Sequence, residues 1–425
     1  MGISTAVTAF NTRVLPASAA QITFSSMLED GAFTATADAK PWIDASRDAL
    51  RGNMCVGIPT ETVYGLAANA LDASAVQQIF AAKGRPSDNP LIVHVSSIRM
   101  LRALYHLPAC DDAQNVLPFL GTDNAALEGG ALSAALQAAE LNGEWPEIPC
   151  AYHDVIRKFW PGALTLIMPR PPCIPMEVLG GHGTTVAVRF PSHTVARATI
   201  AACGLPLAAP SANASGRPSP TLAAHVKHDL DGRLPLILDS GPCDVGVEST
   251  VLDAYSSNAY VDGELVPCIL RPGGVTFECL QALGGAYERL RVYRRDFTST
   301  EMEVNPTTPG MKYRHYSPTA PVYLFVPSSS VSGICQREKM QELLDQQKGK
   351  IGVVTVGDMD INGNGHIVCV TKDAADLAHR IFAMLRMLDE DEHVDKIFVQ
   401  GVDESNEGMA VMNRLAKAAS HHIVC

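Results

Sequence analysis

The chain has 425 residues, a formal net charge of -12, a pI near 5.5, 47% hydrophobic residues and a mean hydropathy of +0.07. This composition excludes a disordered chain, and the acidic balance argues against a surface that grips nucleic acid by neutralising phosphates. No run reaches the ~18–20 apolar residues needed to span a bilayer, and the length implies two domains.

Residues 1–41 are rich in Ala, Ser and Thr, with Arg13 the only basic residue before Lys40. They carry no signal-peptide block, no Arg-rich transit pattern and no myristoylation signal, so they read as a disordered N-terminal extension of a cytoplasmic protein. The eleven cysteines are scattered without a CxxC pair, which excludes zinc-ribbon and thioredoxin readings and fits free thiols in a reducing compartment.

Residues 42–292 alternate apolar runs with helical patterns, an α/β domain. A strand at Cys55–Ile58 runs into the polar turn Pro59–Leu66. Asp72 caps a helix whose Val76, Ile79 and Phe80 share one face and which Gly84 ends. Lys83 and Arg85 sit at that helix end, before a proline-punctuated turn and the strand Leu91–Val95, which carries His94. The block 110–150 is an expected insertion, partly helical over 131–141. Further strands are expected at Leu164–Met168, Thr185–Phe190, Leu234–Asp239, Thr250–Asp253 and Cys268–Leu270. Alternation puts Thr185, Ala187 and Arg189 on one face.

The loop 208–220 follows the apolar Leu205–Leu207 and is dense in hydroxyls and backbone N–H groups; it also carries Arg217. Two further polar segments are 246–253 and 269–274. A lone Ser/Asn/Gly loop is ordinarily a turn, a strand-end arginine ordinarily pairs with a surface carboxylate, and a histidine between valines is ordinarily a core residue. Four such clusters at strand ends of one domain point instead to an anion site, and a nucleotide is the expected anion.

Residues 293–321 read as a linker, since Asn305–Gly310 cannot hold a helix. Lys312, Tyr313, Arg314, His315 and Tyr316 follow, and this segment is expected to fold over the cleft as a lid. From 322 to 425, strands at 322–326, 351–356, 366–370 and 396–400 alternate with helices at 336–347, 374–388 and 409–420. The pattern predicts a smaller three-layer, Rossmann-like domain with a mainly parallel sheet. Neither GxGxxG nor GxxxxGK[ST] occurs.

Several motifs occur in order along nearly the whole chain after residue 41. They are PTETVYGLAANA (59–70), KGRPSDNPLIVH (83–94), FWPGALTLI (159–167), VAVRFP (186–191), APSANASGRPSPT (209–221), GVESTVLD (246–253), ILRPGG (269–274), PGMKYRHYSP (309–318) and NRLAKAAS (413–420). By this ordered set the chain resembles the long, two-domain form of the YrdC-like threonylcarbamoyl-AMP synthases. The resemblance implies a twisted open-sheet domain with helices, followed by the C-terminal α/β domain. It implies that L-threonine, bicarbonate and ATP are combined, with Mg²⁺, into threonylcarbamoyl-adenylate and pyrophosphate. The product would supply a tRNA threonylcarbamoyl transferase complex, with tRNA met only indirectly.

Carried over residue by residue, the resemblance puts Thr62, His94, Arg189, Ala209, Ser249 and Thr250 around L-threonine. Arg85, Asn89, Thr185, Ser211, Ser219, Arg271 and Tyr316 fall on the ATP side, and Lys83, Arg85, Ser211 and Asn213 form a catalytic tetrad. The competing reading is an RNA-binding module of the same fold, against which the charge of -12 counts. A hydrogenase-maturation carbamoyltransferase would require CxxC pairs that this chain lacks.

Overall fold

The computed structural model describes residues 10–26, 31–107, 109, 145–296, 298–299, 315–327 and 333–425. The strands of the first part, in chain order, are β1 (Arg13–Pro16), β2 (Ile22–Phe24), β3 (Phe33–Ala35), β4 (Val56–Ile58), β5 (Gly65–Asn69), β6 (Ile92–His94), β7 (Leu164–Pro169), β8 (Thr185–Arg189), β9 (Leu207–Ala208), β10 (Leu236–Asp239), β11 (Thr250–Asp253), β12 (Tyr260–Val261), β13 (Glu264–Leu265), β14 (Cys268–Arg271) and β15 (Arg291–Val292). Eleven of them form one mixed sheet in the order β1-β10-β4-β5-β9-β6-β8-β7-β11-β14-β15. Helices α1 (Lys40–Arg51), α2 (Ala73–Lys83), α3 (Ile98–Leu104), α4 (His153–Phe159), α5 (Thr194–Cys203), α6 (Ala223–Leu230) and α7 (Phe277–Gln281) belong to the same part of the chain. Buried aliphatics from strands and helices together make one large core.

Local chemistry explains where the key elements end. Asp72 accepts the N–H groups of Ser74 and Ala75 at 2.8 and 3.0 Å and so starts α2. Gly84 stops it in the left-handed region at φ 61°. The chain therefore leaves the helix with Lys83 in its last turn and Arg85 just beyond.

The second part holds β16 (Val322–Val326), α8 (Gly333–Asp345), β17 (Ile351–Val356), β18 (Ile367–Thr371), α9 (Ala374–Arg386), β19 (Lys396–Gln400), α10 (Glu407–Ala418) and β20 (His421–Val424). Its sheet, ordered β18-β17-β19-β16-β20, is parallel throughout. Separate apolar clusters cover the two faces, one with Leu377, Phe382 and Leu415, the other with Met340 and Leu344, which gives three layers. The first cluster also takes in Val63, Val247 and Tyr316, so α9 and α10 pack directly on the larger domain.

Two expectations change. The N-terminal extension is not disordered over its described residues: β1 pairs in parallel with β10, and Thr12 Oγ1 donates to Leu234 O at 2.7 Å across 222 positions. A four-residue edge strand whose partner lies that far along the chain leaves no local signature. The insertion also ends earlier than residue 150. Trp145 and Ile148 are core residues, and Glu147 pairs with the buried Arg102 at 2.7 Å. The helix expected at 131–141 and the linker segment Asn305–Arg314 lie outside the described residues.

Candidate active site

Sheet register assembles the site. His94 on β6 is the partner of Arg189 on β8, Arg189 faces Thr165 on β7, and Thr165 faces Val251 on β11, itself paired with Arg271 on β14. One line of neighbours thus crosses five strands and carries a histidine and two arginines. At its middle, Thr165 Oγ1 and Ser249 Oγ lie 2.8 Å apart.

The line opens into a cavity lined by Thr60, Val63, Gly65, Arg85, Ile92, His94, Arg189, Ala209, Pro210, Ser211, Asn213, Arg217, Glu248, Ser249, Arg271, His315 and Tyr316. Its walls are the ends of β5, β6, β8 and β14, the loops 209–221 and 246–250, and the linker residues His315 and Tyr316. Among the expected residues, Arg85, His94, Arg189, Ala209, Ser211, Asn213, Ser249, Arg271 and Tyr316 meet there.

The other expected residues stand off the lining. Lys83 is buried and spends its ammonium on the carbonyls of Ser211 and Asn213, tying the end of α2 to the cavity loop. Ser219 donates to Glu248 at 2.6 Å, and Thr250 donates to Val275 O. Thr62 is fully buried with its hydroxyl 2.9 Å from that of Thr60, and it is Thr60 that reaches the cavity. Thr185 lies at the far end of β8 from Arg189: strand alternation gives the two one face, but four residues of rise, roughly 13 Å, separate them. Asn89 is 1% exposed, and neither amide atom has a hydrogen-bond partner among the described residues.

The acids were the residues missed. Glu248 lines the cavity inside GVESTVLD, between Ser219 and Arg414, whose Nε donates to it at 2.9 Å. Burial would raise its carboxyl, but the charges of Arg414 and Arg271 and the Ser219 hydroxyl hold it at about 2. Glu61 sits behind Arg189, 2.7 Å from Nη2. Glu61 and Glu248 lie in motifs that carry no cation of their own, PTETVYGLAANA and GVESTVLD; the available signal was that buried guanidiniums elsewhere require acidic partners. Arg217, noted in its loop without a role, also lines the cavity and pairs with Asp229 and Glu390.

Electrostatics leave the cavity positive and its histidines neutral. Burial, aided by the Arg189 charge, lowers His94 to about 3; burial and the charges of Arg85, Lys417 and Lys83 lower His315 to about 3. A histidine depressed when folded makes the unfolded state bind more protons below its ordinary 6.5, so stability falls with pH from about 6.5 towards 3. His94 alone is expected to contribute a slope of up to about 1.4 kcal/mol per pH unit in that window. Urea midpoints at pH 7.5 and 5.5 check this. His94→Gln should flatten the loss, and an equal loss in the variant would refute it.

Comparison with known proteins bears on this geometry. A family described as "Telomere recombination" matches residues 48–118 and 131–273, and one described as "Threonylcarbamoyl-AMP synthase, C-terminal domain" matches residues 275–420. The threonylcarbamoyl-AMP synthase of Schizosaccharomyces pombe is 44% identical over 377 residues, 86% of this chain and 85% of that protein. The Bacillus subtilis enzyme of the same name is 38% identical over 393 residues, 90% of this chain and 94% of its own. The crystal structure of Pyrococcus abyssi Sua5 complexed with L-threonine superposes with a TM-score of 0.72 at 33% identity, covering 97% of this chain and all of that one. With both domains matched in order, the chain belongs to the threonylcarbamoyl-AMP synthase family.

Proposed function

We propose that this cavity is where the enzyme joins L-threonine, bicarbonate and ATP into threonylcarbamoyl-AMP and pyrophosphate, the first step of tRNA threonylcarbamoyladenosine synthesis. The observation that carries the reading is the convergence of the His94–Arg189–Ser249 wall with the Arg85–Ser211–Arg271–Tyr316 wall on one cationic cavity. Threonine takes the first wall, its carboxylate on the Arg189 guanidinium, whose planar fork suits a carboxylate. ATP takes the second, with Arg85 and Arg271 on phosphate oxygens and Tyr316 and Asn89 towards the nucleoside. Ser219, Thr62 and Thr250 support these walls from behind, whereas Thr185 stands at the other end of β8.

The threonine amine captures bicarbonate carbon as a carbamate with loss of water. A carbamate oxygen then attacks the α-phosphorus, and the bond to the β-phosphate oxygen breaks to release pyrophosphate. Because the carbamate is already an anion, no strong base is needed; two anions must be held in line against their repulsion. Arg85 and Arg271 offset that repulsion directly. Lys83 does so through the loop it fixes, which sets the Ser211 and Asn213 side chains, themselves joined at 2.6 Å. Mg²⁺ would be supplied with the nucleotide and would offset triphosphate charge, since the cavity's carboxylate, Glu248, is already committed to Arg414 and Ser219.

The natural division is a catalytic domain over 42–292, extended by β1, a linker over 293–321 whose His315 and Tyr316 close the cavity, and a C-terminal domain over 322–425. No helix among the described residues is long and apolar enough to cross a membrane, and the ten described cysteines are free thiols, in keeping with the reducing cytoplasm. The adenylate is labile, so a transferase complex acting on tRNA is its natural consumer. The test is to supply ATP, Mg²⁺ and bicarbonate with threonine, serine or no amino acid, and to measure pyrophosphate and adenylate. Release that depends on threonine is expected, and silence with every amino acid would sink the reading.

A further inference from the structure

Arg386 on α9 and Arg414 on α10 are each 1% exposed, and although both lie in the C-terminal domain, most of their hydrogen bonds cross to the catalytic one; within its own domain Arg386 also holds Glu390 at 2.9 Å and Arg414 reaches Asn413 at 3.3 Å. An arginine cannot shed its charge on burial, so what it pairs with is an obligatory part of the fold. Arg414 donates through Nε to Glu248 at 2.9 Å and through Nη1 to the carbonyl of Pro272, next to Arg271. Its guanidinium carbon lies 5.9 Å from the centre of the Tyr316 ring, a cation–π approach. Arg386 donates to Pro218 O at 2.6 Å and to Asp229 Oδ2 at 2.7 Å, and that same carboxylate oxygen accepts the N–H of Ala214 at 3.1 Å. The two networks meet where Ser219 donates to Glu248. The approach is close: Gly246 has φ +80°, and a Cβ there would lie 2.1 Å from the His379 carbonyl oxygen of α9.

We infer that Arg414 and Arg386 are positioning residues of the ATP wall, so that the C-terminal domain completes the active site without touching substrate. Arg414 fixes Glu248, the backbone beside Arg271 and the Tyr316 ring; Arg386 fixes the loop that carries Ser211 and Asn213. The inference rests on the reading of the cavity given above.

The test uses the full-length chain and the threonine-dependent pyrophosphate assay, with KM for ATP, KM for threonine, kcat and the thermal midpoint measured for each variant. Arg414→Gln is expected to raise KM for ATP on the order of tenfold while KM for threonine moves less than about twofold, and Arg414→Lys to recover part of the loss. Arg386→Gln should behave alike. A role in packing alone would lower the folded fraction, and hence the apparent kcat and midpoint, with both KM values unmoved; that result overturns the inference. Should Arg414→Gln fail to fold, the double variant Glu248→Gln/Arg414→Gln leaves no unpaired buried carboxylate. It should fold and still show the raised KM for ATP, and a wild-type KM there would equally overturn the inference. A wild type without threonine-dependent release would overturn the reading of the cavity itself, whereas an active wild type with unmoved variants removes only the role of the arginines.

Discussion

Replacing Lys83 with Met is expected to cut threonine-dependent pyrophosphate release by a factor of roughly 10²–10³, the usual cost of losing a preorganised polar group at a reacting centre. Met keeps the length of the aliphatic stem, so the packing at the end of α2 survives. What is lost is the donor that holds the carbonyls of Ser211 and Asn213, and with it the loop proposed to face the α-phosphate. Burial, followed by the charge of Arg85, pushes the Lys83 pKa well below its ordinary value, while the Ser211 and Asn213 carbonyls accept from its Nζ. Two carbonyls left without their donor should cost about 1–3 kcal/mol each at most, visible as a lower urea midpoint with a cooperative transition retained. Arg85→Ala, which removes a group on the lining itself, should match the loss of release with a smaller change in midpoint. Near-normal release by both variants would remove the pair from the mechanism.

Arg189→Met carries the other large effect, and it separates binding from folding. Arg189 is the partner of Glu61, with side chains 5% and 7% exposed and 2.7 Å between them. Deleting one member of such a pair strands the other and is expected to destabilise the protein by about 3–5 kcal/mol. It also removes the proposed seat of the threonine carboxylate, so KM for threonine should rise roughly 10- to 100-fold while KM for ATP moves little.

The pH dependence gives a second handle. Burial raises the Glu61 carboxyl, but the Arg189 charge and hydrogen bond outweigh it and hold the pKa below its ordinary value. The wild-type contribution is therefore present above the ordinary carboxyl range and lost as pH falls through the lowered value. In the variant burial, the largest influence, is opposed only by backbone N–H groups such as that of His193, so the sign inverts and the stability deficit should shrink as pH is lowered from 7 towards 5. Glu61→Gln/Arg189→Met should regain most of the stability and none of the threonine affinity. An unchanged KM for threonine in either variant would sink the assignment.

Much of this architecture was legible from short-range chemistry. Asp72 and Gly84 bracket α2 because a carboxylate can cap and a glycine can turn left-handed. The strand Thr250–Asp253 and the strands at 322–326, 351–356 and 396–400 fall where apolar runs meet turn residues. The strand β20 was passed over because two histidines and an exposed valine hide its pattern on an edge. The N-terminal strand was invisible for a related reason, since four residues with partners 223 positions away carry no period of their own.

The site divides in the same way. The amino-acid sequence by itself determined which chemistry was available: cations at a helix end, a hydroxyl-rich loop, strand-end arginines and an aromatic linker. It also carried, in the order of its motifs, the family to which the chain belongs. Only the tertiary structure decided which of these groups meet. Strand register sets His94 beside Arg189 and puts Thr185 at the opposite end of β8. Long-range packing turns Lys83 inward onto a loop, hands the cavity to Thr60 rather than Thr62, and brings Arg414 to Glu248 across 166 positions. The physical reason is that a buried charge is satisfied by whatever partner the folded chain places beside it. That placement follows from hydrogen-bond register and core packing, which no local run of residues encodes.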